Sequence, residues 1–171
     1  FLRCSLIVNV MRIYMDFLGC RLNEAEQASW HRQFLHHGHM VVENPEDAQV
    51  IALNTCAVTA EAGRKSRRSL RNLSKQNPKA KLVATGCYAT LEPQKLVGES
   101  GVDLVIPNGE KEEMVKKIIE VYDAEMPDLS TIPSAQPAFA QTRTRAFVKV
   151  QDGCRNRCSF CIVTIARGTE K

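Results

Sequence analysis

Short apolar segments alternate with helical patterns through most of the chain, and this alternation most constrains what it can fold into. The apolar segments are typical of buried strands and lie at 11–18, 39–42, 50–53, 81–84 and 103–106. The periodic segments between them predict helices at 23–37, 59–76, 91–97 and 111–122. Strands that alternate with helices form a parallel sheet covered by helices. The sequence therefore predicts an α/β domain over residues 11–122, with helices on both faces of an open parallel sheet.

The first predicted helix carries a start signal and a stop signal. Asn23 followed by Glu26 is a capping box, in which the side chain of Asn23 caps the first helical turn. Gly38 is of the residue type that most often follows the end of a helix. The pattern thus predicts a helix that Asn23 caps and that stops at Gly38.

Three cysteines each come just after a predicted strand. They are Cys20, Cys56 and Cys87. Because the carboxyl ends of parallel strands lie at one edge of a sheet, where ligands bind, we expect these cysteines to converge. A single buried cysteine is usually a packing residue, but three at equivalent strand ends indicate a three-cysteine site.

Three further cysteines form a compact motif. Cys154, Cys158 and Cys161 follow the spacing C-x3-C-x2-C, so their thiolates can close around one metal centre. A structural zinc site takes a fourth ligand, usually Cys or His, and neither residue type follows Cys161. Three thiolates suit a four-iron cluster with one open iron, whereas an ordinary four-iron cluster takes four cysteines. A substrate or cofactor can bind at the open iron.

Composition sets wider bounds. A chain of 171 residues is one large or two small domains, and 44% hydrophobic with 25% charged residues is typical of a soluble globular protein. The net charge of +4 is too small to indicate a partner. Seven cysteines cannot all pair, and no secretion signal is recognisable, so we expect reduced thiols in the cytoplasm. No apolar run approaches the roughly 20 residues of a membrane span.

The chain divides into four parts, of which the α/β domain at 11–122 is the largest. Residues 1–10 are expected to be an upstream or non-native extension, which places Cys4 outside the chemistry. Residues 123–144 are rich in Pro, Ser, Thr and Ala and predict a linker. A strand at 146–150 then begins a second domain, of which the chain contains residues 145–171.

Four motifs carry a resemblance to a known family. C-x3-C-x2-C is the spacing of the radical S-adenosylmethionine enzymes, and residues 145–161 resemble the opening of the radical domain in the methylthiotransferases. Three upstream motifs resemble that family's amino-terminal domain: Leu18-Gly-Cys20-Arg-Leu-Asn23, Asn54-Thr-Cys56-Ala-Val-Thr59 and Thr85-Gly-Cys87-Tyr-Ala. The resemblance covers residues 11–171, nearly the whole chain.

The resemblance implies a second domain that is a (β/α) barrel, open in part. Such a barrel typically needs upwards of about 200 residues. The chain is therefore expected to be an amino-terminal fragment that contains only the first strand and the cluster loop of a truncated barrel. We expect this fragment alone not to turn over substrate.

The resemblance also implies two 4Fe-4S clusters and S-adenosyl-L-methionine as cofactors. The implied ligands are Cys20, Cys56 and Cys87 for an auxiliary cluster that supplies or carries sulfur, and Cys154, Cys158 and Cys161 for the radical cluster. The open iron of the radical cluster would chelate S-adenosyl-L-methionine, and Phe160 would pack near its adenine. No residue is assigned a catalytic role.

In this family the product carries a methylthio group on a former C–H carbon. The motifs around Cys20 and Cys56 most resemble the branch that acts on C2 of N6-threonylcarbamoyladenosine, next to the tRNA anticodon. The isopentenyladenosine branch and the ribosomal-protein branch are the alternatives. The implied partners are the tRNA anticodon stem-loop and an electron donor of flavodoxin or ferredoxin type.

A basic segment bears on the substrate. Residues 64–75 contain six basic residues and no acid. On a helix, most of these share one face: Arg64, Arg67, Arg68, Arg71 and Lys75. Such a face is expected for phosphate contacts, although a solvated basic face would have the same pattern.

Two other classes of protein stay open. A non-catalytic iron–sulfur or zinc scaffold would use the cysteines without binding S-adenosyl-L-methionine. A thiol–disulfide protein would form a reversible disulfide at the sheet edge, but no C-x-x-C begins a helix in the first domain, which weakens that hypothesis.

Overall fold

A computed structural model describes residues 10–99, 101–122 and 149–171. The predicted linker and almost all of the predicted extension lie outside the described residues. The strands are β1 (Arg12–Phe17), β2 (Met40–Val42), β3 (Val50–Thr55), β4 (Lys81–Gly86) and β5 (Leu104–Ile106). They form one sheet in the order β2-β1-β3-β4-β5, and every pairing is parallel. The predicted α/β fold with an open parallel sheet is confirmed.

The helices are α1 (Arg21–His36), α2 (Ala60–Gln76), α3 (Cys87–Leu91), α4 (Pro93–Glu99), α5 (Met114–Tyr122) and α6 (Val163–Arg167). Short 3-10 helices occupy Pro45–Asp47 and Asn108–Glu113. Thr59 caps α2, because its side chain accepts a hydrogen bond from the backbone N–H of Ala62 at 3.1 Å. Among the described residues, no helix is long and apolar enough to span a membrane.

Two apolar cores cover the two faces of the sheet. The central strand β3 is buried along its whole length. Its residues alternate between the faces: Val50 and Ala52 belong to the core that includes side chains of α1 and α5, whereas Ile51 and Leu53 belong to the core that includes side chains of α2, α3 and α4. The helices of the first domain are thus divided between the two faces, and the strand ends stay free to form a site.

The predicted capping box is wrong. Helix α1 begins at Arg21, and Cys20 occupies the cap position without a side-chain hydrogen bond. Asn23 lies inside the helix, and its Nδ2 donates to the backbone carbonyl of Leu18 at 2.6 Å. Glu26 is buried in the same helix. Both polar side chains also have distant partners, since Asn23 accepts from Arg167 and Glu26 accepts from Asn54, and these contacts replace a local cap.

Other element boundaries also differ from the prediction. The helix predicted at 91–97 corresponds to α4, which begins at Pro93. Helix α3, which starts directly at the end of β4, was not predicted. The predicted helix at 111–122 begins as a 3-10 turn before α5. Of the strand predicted at 146–150, only Lys149 and Val150 are described, and neither is in a strand.

Gly86 is the tightest point of the sheet edge, with a φ of +94°. A Cβ there would lie 2.4 Å from both the Asn54 Oδ1 and the backbone carbonyl oxygen of Thr55. We expect Gly86→Ala to lower the free energy of unfolding by about 2–5 kcal/mol, from backbone strain and overpacking. Urea denaturation of the purified chain measures the change.

Gly98→Ala is the matched control, because a Cβ at Gly98 would meet nothing within 4 Å. Gly98 lies in helix α4, where alanine is the better helix former. We expect its stability to stay the same or rise by up to about 1 kcal/mol. Equal stability of the two variants would contradict the assigned role of Gly86.

Candidate functional site

Three neighbouring strands bring three cysteines to one edge of the sheet. Cys20 lies between β1 and α1, Cys56 follows β3 directly, and Cys87 is the first residue of α3 after β4. Because β1, β3 and β4 are adjacent and parallel, their carboxyl ends lie side by side. All three cysteines line one cavity of about 250 Å³. This edge includes the point where the strand order reverses, between β1 and β3, which is where ligands bind in open α/β sheets.

A glycine allows the first two cysteine segments to approach each other. Gly19 has a φ of +101°, and a Cβ at this position would lie 2.6 Å from the Sγ of Cys56. Only a residue without a side chain leaves room for that sulfur. The glycine before Cys20 therefore makes space for Cys56, a role that the sequence alone did not indicate.

Helix α2 fixes the backbone at Cys56. The backbone N–H of Cys56 donates to the Ser66 Oγ at 3.1 Å, and the Ser66 hydroxyl donates to the Cys56 carbonyl at 2.9 Å. Ser66 is fully buried. Sequence analysis missed this residue, because a serine in the middle of a basic helix carries no signal of its own.

Two asparagines approach the sulfurs of the other cysteines. The Cys20 Sγ lies 3.7 Å from the Asn23 Oδ1, and the Asn108 Nδ2 lies 3.7 Å from the Cys87 Sγ. Asn108 also donates from Nδ2 to the backbone carbonyl of Ala166 at 2.6 Å. Amide groups thus surround the cavity and link the first domain to the segment that follows it.

Residues 149–171, hereafter the second cysteine segment, form the opposite wall of the cavity. The lining residues of this segment are both polar and apolar: Gln151, Gly153, Ile162, Val163, Ala166 and Arg167. Cys20 is exposed at the rim, whereas Cys56 and Cys87 are each only 5% exposed. The second cysteine segment therefore limits access to the two deeper thiols.

The C-x3-C-x2-C motif lies on a loop closed by backbone hydrogen bonds. The N–H of Cys154 donates to the carbonyl of Gly168 at 3.0 Å, and the N–H of Cys161 donates to the carbonyl of Cys158 at 3.1 Å. The Thr164 hydroxyl contacts the carbonyl of Cys154 at 3.0 Å. Cys158 is exposed, and the other two cysteines of the motif are partly exposed. The loop thus presents its thiols towards solvent.

Phe160 lies at the surface of this loop and is 92% exposed. It is therefore not a core aromatic residue. Its predicted contact with a cofactor stays a prediction.

The chemistry of both cysteine groups fits an iron–sulfur cluster. All six cysteines in the described part of the chain are free thiols, and thiolates are the usual ligands of such clusters. No three Cys, His, Asp or Glu side chains among the described residues are grouped closely enough to share one metal ion. In a cluster each thiolate binds a different iron, so cysteines spread around a cavity suit a cluster better than a single ion.

Four buried charged side chains join the second cysteine segment to the first domain. The Lys111 Nζ lies 2.6 Å from the Glu26 Oε1 and 2.5 Å from the Asp152 Oδ2. The Arg167 Nη1 lies 3.0 Å from Glu26 Oε1 and 2.9 Å from Asp152 Oδ1. All four side chains are at most 6% exposed. We call this set the four-charge network.

The network shifts the pKa values of Asp152 and Arg167. Burial alone would raise the pKa of the Asp152 carboxyl, but hydrogen bonds from Lys111 and Arg167 hold that pKa well below its ordinary value. Burial would lower the pKa of Arg167, yet its hydrogen bond to Asp152 and the charges of Cys87 and Glu26 raise it above the ordinary value. The pKa shifts of Asp152 and Arg167 both favour the charged form of the side chain.

Helix α2 carries the basic residues away from the cysteine edge. Arg68, Arg71 and Lys75 are exposed, and no acidic side chain in the described part of the chain forms an ion pair with them. Arg64 instead pairs with Glu61, with its Nη2 2.6 Å from the carboxylate. Arg67 lies with its guanidinium carbon 5.9 Å from the centre of the Tyr88 ring. The basic face therefore has three unneutralised cations.

This fold and cysteine edge define a class of α/β domain with a thiol-lined cavity at its strand ends. The model of the Uncharacterized protein family UPF0004 matches residues 12–107, which contain all five strands and helices α1 to α4 but not α5. The chain belongs to that family.

Similar curated proteins extend the comparison beyond the sheet. The threonylcarbamoyladenosine tRNA methylthiotransferase MtaB of Aquifex aeolicus is 34% identical over 92% of this chain and 40% of its own length. The MtaB of Bacillus subtilis is 36% identical over 88% of this chain and 35% of its own length. The tRNA-2-methylthio-N(6)-dimethylallyladenosine synthase of Pseudothermotoga lettingae is 31% identical over 94% of this chain and 38% of its own length. The resemblance to the methylthiotransferases is thereby confirmed, and the chain spans between 35% and 40% of the length of these relatives.

The four-charge network gives a prediction for stability. Lys111→Met leaves two buried carboxylates, on Glu26 and Asp152, with one cation fewer between them. We expect the free energy of unfolding to fall by about 3–5 kcal/mol, because an uncompensated buried charge is costly. Urea denaturation at neutral pH measures the effect.

The control is Lys116→Met on α5, where the side chain is 70% exposed and lies 3.7 Å from Glu120. An exposed pair of this kind contributes little, so we expect a change within about 0.5 kcal/mol. A Lys111 variant as stable as this control would show that the network is not coupled to folding.

Proposed function

We propose that the chain contains the amino-terminal domain and the cluster loop of a tRNA methylthiotransferase. The reaction would be radical S-adenosylmethionine chemistry that places a methylthio group on C2 of N6-threonylcarbamoyladenosine. One observation carries the proposal: Cys20, Cys56 and Cys87 surround one cavity, and the wall of that cavity is built from the segment that holds the C-x3-C-x2-C motif.

The cysteines divide between two clusters. Cys20, Cys56 and Cys87 would hold the auxiliary 4Fe-4S cluster, and Cys154, Cys158 and Cys161 would hold the radical cluster. When bound, the radical cluster supplies the electron that cleaves S-adenosyl-L-methionine, and the auxiliary cluster supplies or carries sulfur.

Residues of the chain itself prepare the auxiliary site. Ser66 holds both backbone groups of Cys56, and Gly19 leaves room for its sulfur. The Asn108 Nδ2 lies 3.7 Å from the Cys87 sulfur and so provides a hydrogen-bond donor beside it. The second cysteine segment shields the deeper thiols from water. These contacts are all made within the polypeptide, so the chain's own residues would hold the cysteines in place for a cluster.

The substrate assignment rests on the relatives. Five MtaB proteins match this chain at 30–36% identity and three dimethylallyladenosine synthases at 28–31%. The threonylcarbamoyl branch is therefore favoured. A tRNA substrate would suit a cytoplasmic enzyme. The one-electron cleavage of S-adenosyl-L-methionine would require an electron donor, for which a protein of flavodoxin or ferredoxin type is suited.

The exposed face of α2 is suited to contact the tRNA. Three unneutralised cations, Arg68, Arg71 and Lys75, lie at helical spacing on a helix that starts four residues after Cys56. Phosphates attract such a row without regard to sequence. The anticodon stem-loop could thus lie along α2 with its modified base directed to the cysteine edge.

Iron and sulfide analysis after anaerobic reconstitution tests the two-cluster arrangement. The parent chain is expected to bind about eight irons, in two four-iron clusters. The triple variants Cys20→Ala/Cys56→Ala/Cys87→Ala and Cys154→Ala/Cys158→Ala/Cys161→Ala are each expected to bind about four.

Cys4→Ala is the control and is expected to keep about eight irons, because Cys4 belongs to neither group. A parent with about four irons, unchanged in the Cys20/Cys56/Cys87 variant, would contradict the auxiliary site. Zinc in place of iron would favour a non-catalytic scaffold.

RNA binding tests the role of α2. We expect Arg68→Glu/Arg71→Glu to weaken binding of an anticodon stem-loop RNA by about tenfold or more. The slope of log K against log salt should fall by roughly 0.7–0.9 per lost phosphate contact. Fluorescence anisotropy at several salt concentrations gives both quantities.

The matched control is Lys116→Glu/Lys117→Glu, which makes the same change in charge on α5, across the sheet from α2. We expect this variant to bind RNA nearly as well as the parent. An equal loss in the two variants would show that net charge, and not the α2 face, determines binding.

A further inference from the structure

The second cysteine segment and the first domain meet through buried acids and bases that are already paired within each side, and the partly exposed Lys149 adds a further cation 3.3 Å from Asp152. The first domain contributes one acid and one base, Glu26 and Lys111, which lie 2.6 Å apart. The second cysteine segment likewise contributes Asp152 and Arg167, 2.9 Å apart. Each side therefore keeps a paired acid and base when the two are apart, and no lone buried charge forces them together.

Docking adds two crossed ion pairs between buried side chains, and Lys149 also lies 4.0 Å from the Glu26 Oε1. Lys111 reaches Asp152 at 2.5 Å, and Arg167 reaches Glu26 at 3.0 Å. Charge-assisted hydrogen bonds of this length are strong and directional. The crossed pairs thus fix one orientation of the second cysteine segment on the first domain.

Arg167 extends this connection to the thiol-lined cavity. Its Nη2 donates to the Asn23 Oδ1 at 2.7 Å, and that same oxygen lies 3.7 Å from the Cys20 Sγ. Arg167 is also a wall of the cavity, together with Ala166, whose carbonyl accepts from Asn108. A single guanidinium therefore contacts the first domain, its own segment and the neighbour of a site cysteine.

We propose that Arg167 is a positioning residue that fastens the second cysteine segment over the cavity and so controls access to Cys56 and Cys87. The two thiols are 5% exposed while the segment is docked. Release of Arg167 opens that wall, whereas the sheet that carries the cysteines stays folded. The inference concerns the polypeptide and does not depend on which group the cysteines bind.

Alkylation of the anaerobically reduced full chain with iodoacetamide tests this role, with each cysteine followed by mass spectrometry. In the parent, Cys56 and Cys87 should react slowly and Cys158 fast. In Arg167→Met, we expect the rates at Cys56 and Cys87 to rise about tenfold or more, because the docked and open states are in local equilibrium. Hydrogen exchange in β3 and β4 should stay at the parent rate.

Arg167→Lys keeps the charge but cannot reach Asn23, Glu26 and Asp152 together, because it lacks the planar fork. We expect alkylation rates at Cys56 and Cys87 between those of the parent and Arg167→Met. The matched control is Arg155→Met, in the same segment, where the side chain is 80% exposed and pairs with Glu170. Its cysteines should react as in the parent.

Parental alkylation rates at Cys56 and Cys87 in Arg167→Met would overturn the proposal. If Arg167→Met also loses protection from hydrogen exchange in β3 and β4, the alkylation rates of Arg167→Lys decide between the two outcomes. Raised rates with a protected sheet would support the positioning role, and parental rates would overturn it.

Discussion

Parallel pairing of β1, β3 and β4 is the constraint on which the rest of the structure depends. The register pairs Phe17 with Asn54 and Asn54 with Thr85, so the three strands end level with one another. A cysteine placed just after each strand then reaches the same cavity. An antiparallel arrangement would send neighbouring strand ends to opposite edges and would separate the cysteines.

The cavity edge is the polar part of an otherwise apolar interior. Asn23, Glu26, Asn54 and Asn108 are buried there, each at 6% exposure or less. Burial of such groups is costly without hydrogen-bond partners, and their amide nitrogens have them: Asn54 donates to the Glu26 carboxylate at 3.0 Å. The Oδ1 atoms of Asn54 and Asn108 have no partner among the described residues. The stability of the edge therefore comes from a few directional contacts rather than from apolar burial.

Sequence reasoning gave the sheet and the cysteine edge, because both follow from local patterns repeated along the chain. It failed where a polar side chain serves a distant partner. Glu26 and Arg167 are 141 positions apart yet lie 3.0 Å from each other, and no local pattern predicts that pair. Asn23 was predicted to be a helix cap because its spacing to Glu26 fits that motif. Its actual partners, Leu18 and Arg167, cannot be identified from the local sequence.

Ion pairs are suited to orient the second cysteine segment on the first domain. The apolar side chains Ile162, Val163 and Ala166 could pack against the cavity in several orientations, because apolar burial has no preferred direction. Ion pairs of 2.5–3.0 Å require one arrangement of donors and acceptors. Apolar contact therefore supplies adhesion and the four-charge network supplies orientation. A site that must align two groups of thiols needs the second property more than the first.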